Sequence, residues 1–168
     1  MSDQAPQTGE SSRPRRIVVG VDGSRHSVLA LRRAAALAEA EGIALEPVIV
    51  WQQPATATGA PLAGWDPGIE AGTVLRDALA EVFGPELPAW VHPRVLPGPT
   101  ARVLIDASAG AELLVVGSRG HGGFAGLMLG SVSSACAEYA HCPVLVMREP
   151  VGAGHDDRRR SASAAVAH

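Results

Sequence analysis

The chain has 168 residues, 46% of them hydrophobic and 18% charged, with a formal net charge of −3. That length suits one domain with a sizeable core, and that charge excludes a general electrostatic drive toward nucleic acid or an anionic membrane. Every cationic residue is arginine, no eighteen consecutive residues are apolar, and the polar N-terminus lacks the apolar segment of a secretory signal, so a cytoplasmic protein with no membrane span is expected.

Residues 1–14 are polar and without periodicity, and read as a disordered tail. A single domain is expected over residues 15–149. Residues 17–21, Ile-Val-Val-Gly-Val, form the short β-branched run of a strand covered on both faces. Asp22-Gly23-Ser24 breaks it, with Ser24 placed to cap a helix over Arg25–Glu41. That helix carries Val28, Leu31, Ala35 and Ala38 along one stripe and stops at Gly42. A second strand is expected over Ala44–Trp51, weakened by Pro47, which removes a ladder donor. Residues 52–68 are rich in proline and glycine and too long for an ordinary connection, which leaves a lid or a tolerated insertion open. Trp65 within them reads as an anchor for the loop or as a platform for a ligand base.

Helical periodicity returns over residues 69–83 through Val74, Leu75, Leu79 and Val82. Residues 90–96 read as a third strand, with Pro93 marking an edge position. After the turn Pro97-Gly98-Pro99-Thr100 come a helix over residues 101–109, a fourth strand over 112–116, a glycine-rich loop, a last helix ending near Ala140 and a fifth strand over 142–147. Cys136 and Cys142, six apart with no second pair, read as buried free thiols rather than a zinc site. Residues 150–168 are expected to be a disordered tail whose Arg158-Arg159-Arg160 run is a solvated segment. Strands alternating with helices predict an α/β fold, a parallel sheet with helices on both faces and right-handed crossovers. If the first and fourth strands flank the reversal of winding, Asp22 and Gly117 face one crevice.

The loop from Gly117 to Ser131 carries the chemistry. Glycines between a strand and a helix allow positive φ and leave N–H groups uncovered, and with the free donors of the helix start they make a phosphate cradle. A Walker loop is excluded, because the sequence has no lysine. Gly120-His121-Gly122-Gly123-Phe124-Ala125 has dinucleotide spacing, but late in the chain and without the acidic residue that fingerprint needs after it, since Glu138 falls within the last helix. His121 is polar and in the loop, yet no nucleophile or orienting acid pairs with it from sequence.

These residues resemble the universal stress protein family over about residues 15–149. The opening Val18-Val19-Gly20-Val21-Asp22-Gly23-Ser24 is similar to its N-terminal signature. Gly117, Gly120, Gly130 and Ser131 meet its pattern of glycine, two residues, glycine, nine residues, glycine and Ser or Thr. The ending His141-Cys142-Pro143-Val144-Leu145-Val146 is similar as well. The resemblance implies a five-stranded, Rossmann-like adenine nucleotide α-hydrolase-like fold of strand order 3-2-1-4-5, and a homodimer through the last strand, at Val144, Leu145 and Val146. It also implies ATP binding, with AMP or ADP as alternatives and Mg2+ arriving through the phosphates. Carried over by motif, Gly20, Val21 and Asp22 lie on the ribose and adenine side, and Val50 meets the adenine. Val116, Gly117, Ser118, Arg119, Gly120, His121, Gly130, Ser131, Val132 and Ser133 surround the phosphates and ribose.

Each role has a plainer alternative. Asp22 could only cap the next helix, Arg119 could face solvent, and Ser131 and Ser133 serve equally as helix caps. The reading that results is a nucleotide-binding stress or signalling protein with slow or no hydrolysis and no catalytic or metal-ligating residue. An adenylating or ATP-hydrolysing enzyme of the same fold group, and a nucleotide-free interaction module, are the alternatives.

Overall fold

β-branched runs too short for helices make the centre of the molecule, and longer amphipathic runs cover it. The computed structural model describes residues 15–53, 66–120 and 129–148. In chain order they form β1 (Arg16–Gly20), α1 (Arg25–Glu41), β2 (Ala44–Trp51), α2 (Pro67–Phe83), β3 (Arg94–Pro97), α3 (Thr100–Ala107), β4 (Leu113–Gly117), α4 (Ser131–Tyr139) and β5 (Val144–Met147). All strand pairs are parallel, in the order β3-β2-β1-β4-β5. This is the α/β architecture expected from the alternation.

Successive strand residues face opposite sides of the sheet, so two cores form. Ile17, Val19, Leu45, Ile49 and Val115 pack with residues of α1 and α2, among them Leu31, Ala38, Leu75 and Leu79. Val18, Val48, Leu114 and Val116 pack on the other face with Leu104 of α3 and Cys136 of α4. The stripe Val28, Leu31, Ala35 and Ala38 is buried as its spacing predicts; on α2, Leu75 and Leu79 are buried while Val74 and Val82 pack at the margin. The Ser24 hydroxyl accepts from the Ser27 N–H at 3.2 Å, and Gly42 closes α1 with φ 63°. Ser24 and Gly42 therefore hold the roles their positions suggested.

Besides shifts of one or two residues at β1, α3 and β4, the boundaries differ as follows. Residues 67–68, read as the end of a loop, are the first turn of α2: Pro67 occupies an N-terminal position that needs no N–H, and the Asp66 side chain accepts from the Gly68 N–H at 2.8 Å. The third strand starts at Arg94, not at 90: Pro47 of β2 lacks the N–H that would face the His92 carbonyl, so the ladder breaks there and Val91 makes only an isolated bridge with Leu45. Val21 lies outside β1, although its N–H still donates to the Val48 carbonyl at 2.9 Å. Cys142 precedes β5 and is only partly covered, whereas Cys136 is fully buried; both are free thiols. The predicted tails, the 54–65 stretch with Trp65, and residues 121–128 with His121 lie outside the described residues. No described helix is long and apolar enough to cross a membrane.

The end of the sheet where β1 begins is tied by charge. Arg16 donates to the carbonyls of Ala107, the last residue of α3, and of Ala109 and Gly110 just past it, at 3.1–3.3 Å, and pairs with Glu46 at 3.5 Å. Cations suit the negative end of a helix, so Arg16 adds to the closure of α3, after which Gly110 turns the chain with φ 72°. The candidate site lies at the other end.

Candidate functional site

β1 and β4 are neighbours, but α1 leaves β1 for one face of the sheet and α4 leaves β4 for the other. Their connections diverge at the carboxyl ends, and a crevice opens between them. A cavity of about 530 Å3 occupies it, within the ~300–1,000 Å3 usual for small-molecule sites.

The β1 side of the cavity is a polar knot. Asp22 accepts from the Ser24 N–H at 2.9 Å through Oδ1, and its own N–H donates to the Ser27 hydroxyl at 3.3 Å. Ser27 is buried and donates in turn to the Ser24 carbonyl at 2.9 Å. The Asp22 carboxylate thus takes part in the turn before α1, whose cap is Ser24, and still lines the cavity with Gly20 and Val21.

The β4 side is the glycine loop. Gly117, Gly120 and Gly130 all line the cavity, but none has positive φ. Close approach is their reason instead. A Cβ on Gly117 would lie 2.9 Å from the backbone of His26 and 3.0 Å from the Ser27 nitrogen, so β4 can pass the start of α1 only without a side chain. A Cβ on Gly120 would lie 2.5 Å from Oδ2 of Asp22, which places the carboxylate against the loop. The Ser24 hydroxyl reaches the Arg119 carbonyl at 3.5 Å and joins the two connections.

Ser118 and Ser133 act behind the cavity surface. Ser118 is buried and outside the lining; its N–H donates to the Met147 carbonyl at 2.7 Å, and its carbonyl accepts from the Gly130 N–H at 2.8 Å and the Ser133 hydroxyl at 3.1 Å. Ser133 also reaches the Gly130 carbonyl at 3.0 Å. Its proton is engaged in pinning the start of α4 to β4, while the residue still borders the cavity. Gly130, the N-cap of α4, supplies no side-chain bond, so among the described residues no side chain caps the first turn of α4, where Ser131, Val132 and Ser133 line the cavity. The helix start can therefore receive an anion.

Val50 and Val116 form apolar wall, and Arg119 lies on the lining. Four lining residues escaped the sequence reading: Ser27, Val48, Thr100 and Leu104. Val48 was reachable, since it lies two residues before Val50 on the same strand face. Thr100 and Leu104 carry no local signal, because only the crossing of α3 beside the sheet brings them there. Beneath α4, burial pushes the Cys136 thiol up to about 11, which keeps it protonated and unreactive at neutral pH. Among the described residues no group of three or more His, Cys, Asp or Glu could hold a metal ion.

The model of the Universal stress protein family matches residues 14–148. A universal stress protein of Mycobacterium tuberculosis is 36% identical over 143 residues, covering 79% of this chain and 47% of its own length. The chain thus spans about half the length of the curated relatives it matches. Among solved structures, universal stress protein UspA from Lactobacillus plantarum aligns with a TM-score of 0.64 at 20% identity, covering 81% of this chain and 99% of that one. A universal stress protein in complex with cAMP aligns with a TM-score of 0.54 at 25% identity, covering 82% and 99%.

Proposed function

The chain belongs to the universal stress protein family, and from that premise we propose that its cavity binds an adenine nucleotide, with ATP as the resident ligand. The carrying observation is the meeting of Gly120, Gly130 and the uncapped start of α4 with Asp22 in one cavity of nucleotide size. The cAMP complex of a relative supports the ligand class. In this reading the N–H groups of α4 and the glycine loop receive the phosphates, with Ser131 and Arg119 beside them. Asp22 accepts from the ribose hydroxyls, since a carboxylate repels phosphate but accepts readily from hydroxyl. Gly20, Val21, Val50 and Val116 border the nucleoside, and Mg2+ arrives with the phosphates.

Backbone donors bind phosphate without activating an attacking water, so bound nucleotide sets a conformation or partner surface in a stress or signalling role, with little turnover. A homodimer through β5 completes the reading. Val144, Leu145 and Val146 are half-covered on an edge strand, where unpaired backbone groups invite a second copy. Light scattering of the purified chain should report two copies, and Val146→Pro, which removes an N–H facing the open edge, should reduce it to one.

The test of the ligand is purification without added nucleotide, denaturation, and mass detection of what is released. ATP near one per chain is the expected result. No released nucleotide, and no calorimetric signal on adding ATP, would reject the reading in favour of an interaction module.

A further inference from the structure

α3 and α4 lie on the same face of the sheet, and the start of each lines the cavity. At α3 the lining residues are Thr100 and Leu104, one helical turn apart and so on one side of the helix. The connection that delivers Thr100 is fixed by the strand beside it. The Gly98 N–H donates to the Trp51 carbonyl at 2.9 Å, directly after Val50 at the end of β2. Gly98 has φ 127°, a conformation that glycine adopts without strain.

Thr100 therefore belongs to the β2 end of the cavity, with Val48, Val50 and Leu104 as its apolar neighbours in the wall. Gly120, Gly130 and Ser131 belong to the β4 end, two strand positions away, roughly 10 Å at the usual spacing. Pro99, the N-cap of α3, supplies no side-chain bond, and the Thr100 hydroxyl has no hydrogen-bond partner among the described residues. Thr100 is thus the polar residue among the four that line this end of the cavity.

We propose that Thr100 contacts the nucleoside portion of the bound nucleotide, its hydroxyl hydrogen-bonded to base or ribose, and so sets affinity independently of phosphate number. The inference rests on the nucleotide reading above and adds a residue that motif spacing does not reach. A hydroxyl both donates and accepts, so it suits the mixed edge of a nucleoside better than an all-acceptor phosphate.

The experiment is calorimetric titration of adenosine, AMP and ATP into the wild-type chain and into Thr100→Val, Thr100→Ser and Ser131→Ala. Valine keeps the shape and removes the hydroxyl. Thr100→Val should weaken all three ligands by the same factor, about three- to tenfold for one net hydrogen bond. Thr100→Ser should restore wild-type affinity, which a purely structural role for the hydroxyl-bearing turn would not require. Ser131→Ala should show a loss that grows from adenosine to ATP. Unchanged adenosine affinity in Thr100→Val, a loss that rises with phosphate number, or no rescue by serine would each overturn the assignment. Failure of the wild-type chain to bind any of the three ligands overturns the nucleotide reading itself, and is seen without any variant.

Discussion

Replacing Gly117 with alanine separates what the fold requires of the glycine loop from what a ligand requires. The added Cβ would lie 2.9 Å from the carbonyl carbon and Cβ of His26 and 3.0 Å from the Ser27 nitrogen. Carbon contacts are comfortable at about 3.5–4.0 Å, so α1 must retreat by roughly half an ångström or more. It cannot do so freely, because Leu31, Ala34 and Ala38 are fully buried against the sheet and Ser24 and Ser27 fix its first turn. Overpacking of this kind costs about 1–3 kcal/mol, which for a domain of this size lowers Tm by roughly 2–12 °C. Gly130→Ala is the control: its Cβ would meet nothing nearer than the Ser118 carbonyl oxygen at 3.5 Å, an ordinary contact, and φ is −75°. Thermal unfolding followed by far-ultraviolet circular dichroism should therefore drop for Gly117→Ala and stay near wild type for Gly130→Ala. Equal melting of Gly117→Ala and wild type would refute the reasoning that the strand passes α1 too closely for a side chain.

Gly120→Ala should leave Tm close to wild type, because the atom in its way is the end of the Asp22 side chain. It should weaken ATP binding about as much as Asp22→Ala does, and the double variant should lose no more than either; additive losses in titration calorimetry would show that the two residues act separately. Ser24→Ala removes the cap of α1 and the contact with the Arg119 carbonyl, and should cost about 1 kcal/mol in denaturant unfolding. For Cys136 the thiol of the folded chain is raised by burial from 9.0 to about 11. Below pH 9 both states hold the proton; between pH 9 and 11 the unfolded chain releases it and the folded chain does not, so stability falls with rising pH and the fall levels off above 11. Two units correspond to about 2–3 kcal/mol. The difference in unfolding free energy between wild type and Cys136→Ala should shift by that amount across the window, and a difference independent of pH would show that the thiol titrates normally.

The local grammar of the chain was legible because each signal rests on neighbours in sequence. β-branched runs marked the strands, the stripe of Val28, Leu31, Ala35 and Ala38 marked the buried face of α1, and Ser24 and Gly42 marked its ends. The alternation of strand and helix then left a parallel sheet as the architecture, and the spacing of Gly117, Gly120 and Gly130 located the crevice. Where proline competed with hydrophobic pattern, the sequence was ambiguous: Pro67 opens a helix while Pro47 interrupts the ladder between β2 and β3, since the missing N–H is harmless in a first helical turn and harmful in a ladder. Only the tertiary structure decided why the glycines are there. Positive φ, a local property, was the expectation, whereas contact with His26 and Asp22 across the crevice is the observed cause at Gly117 and Gly120. The same holds for Thr100 and Leu104, which reach the cavity through a crossover that returns α3 beside β1 and β2. Local sequence fixes dihedral preference and periodicity; which distant backbone comes within 3 Å of a glycine is settled by packing alone.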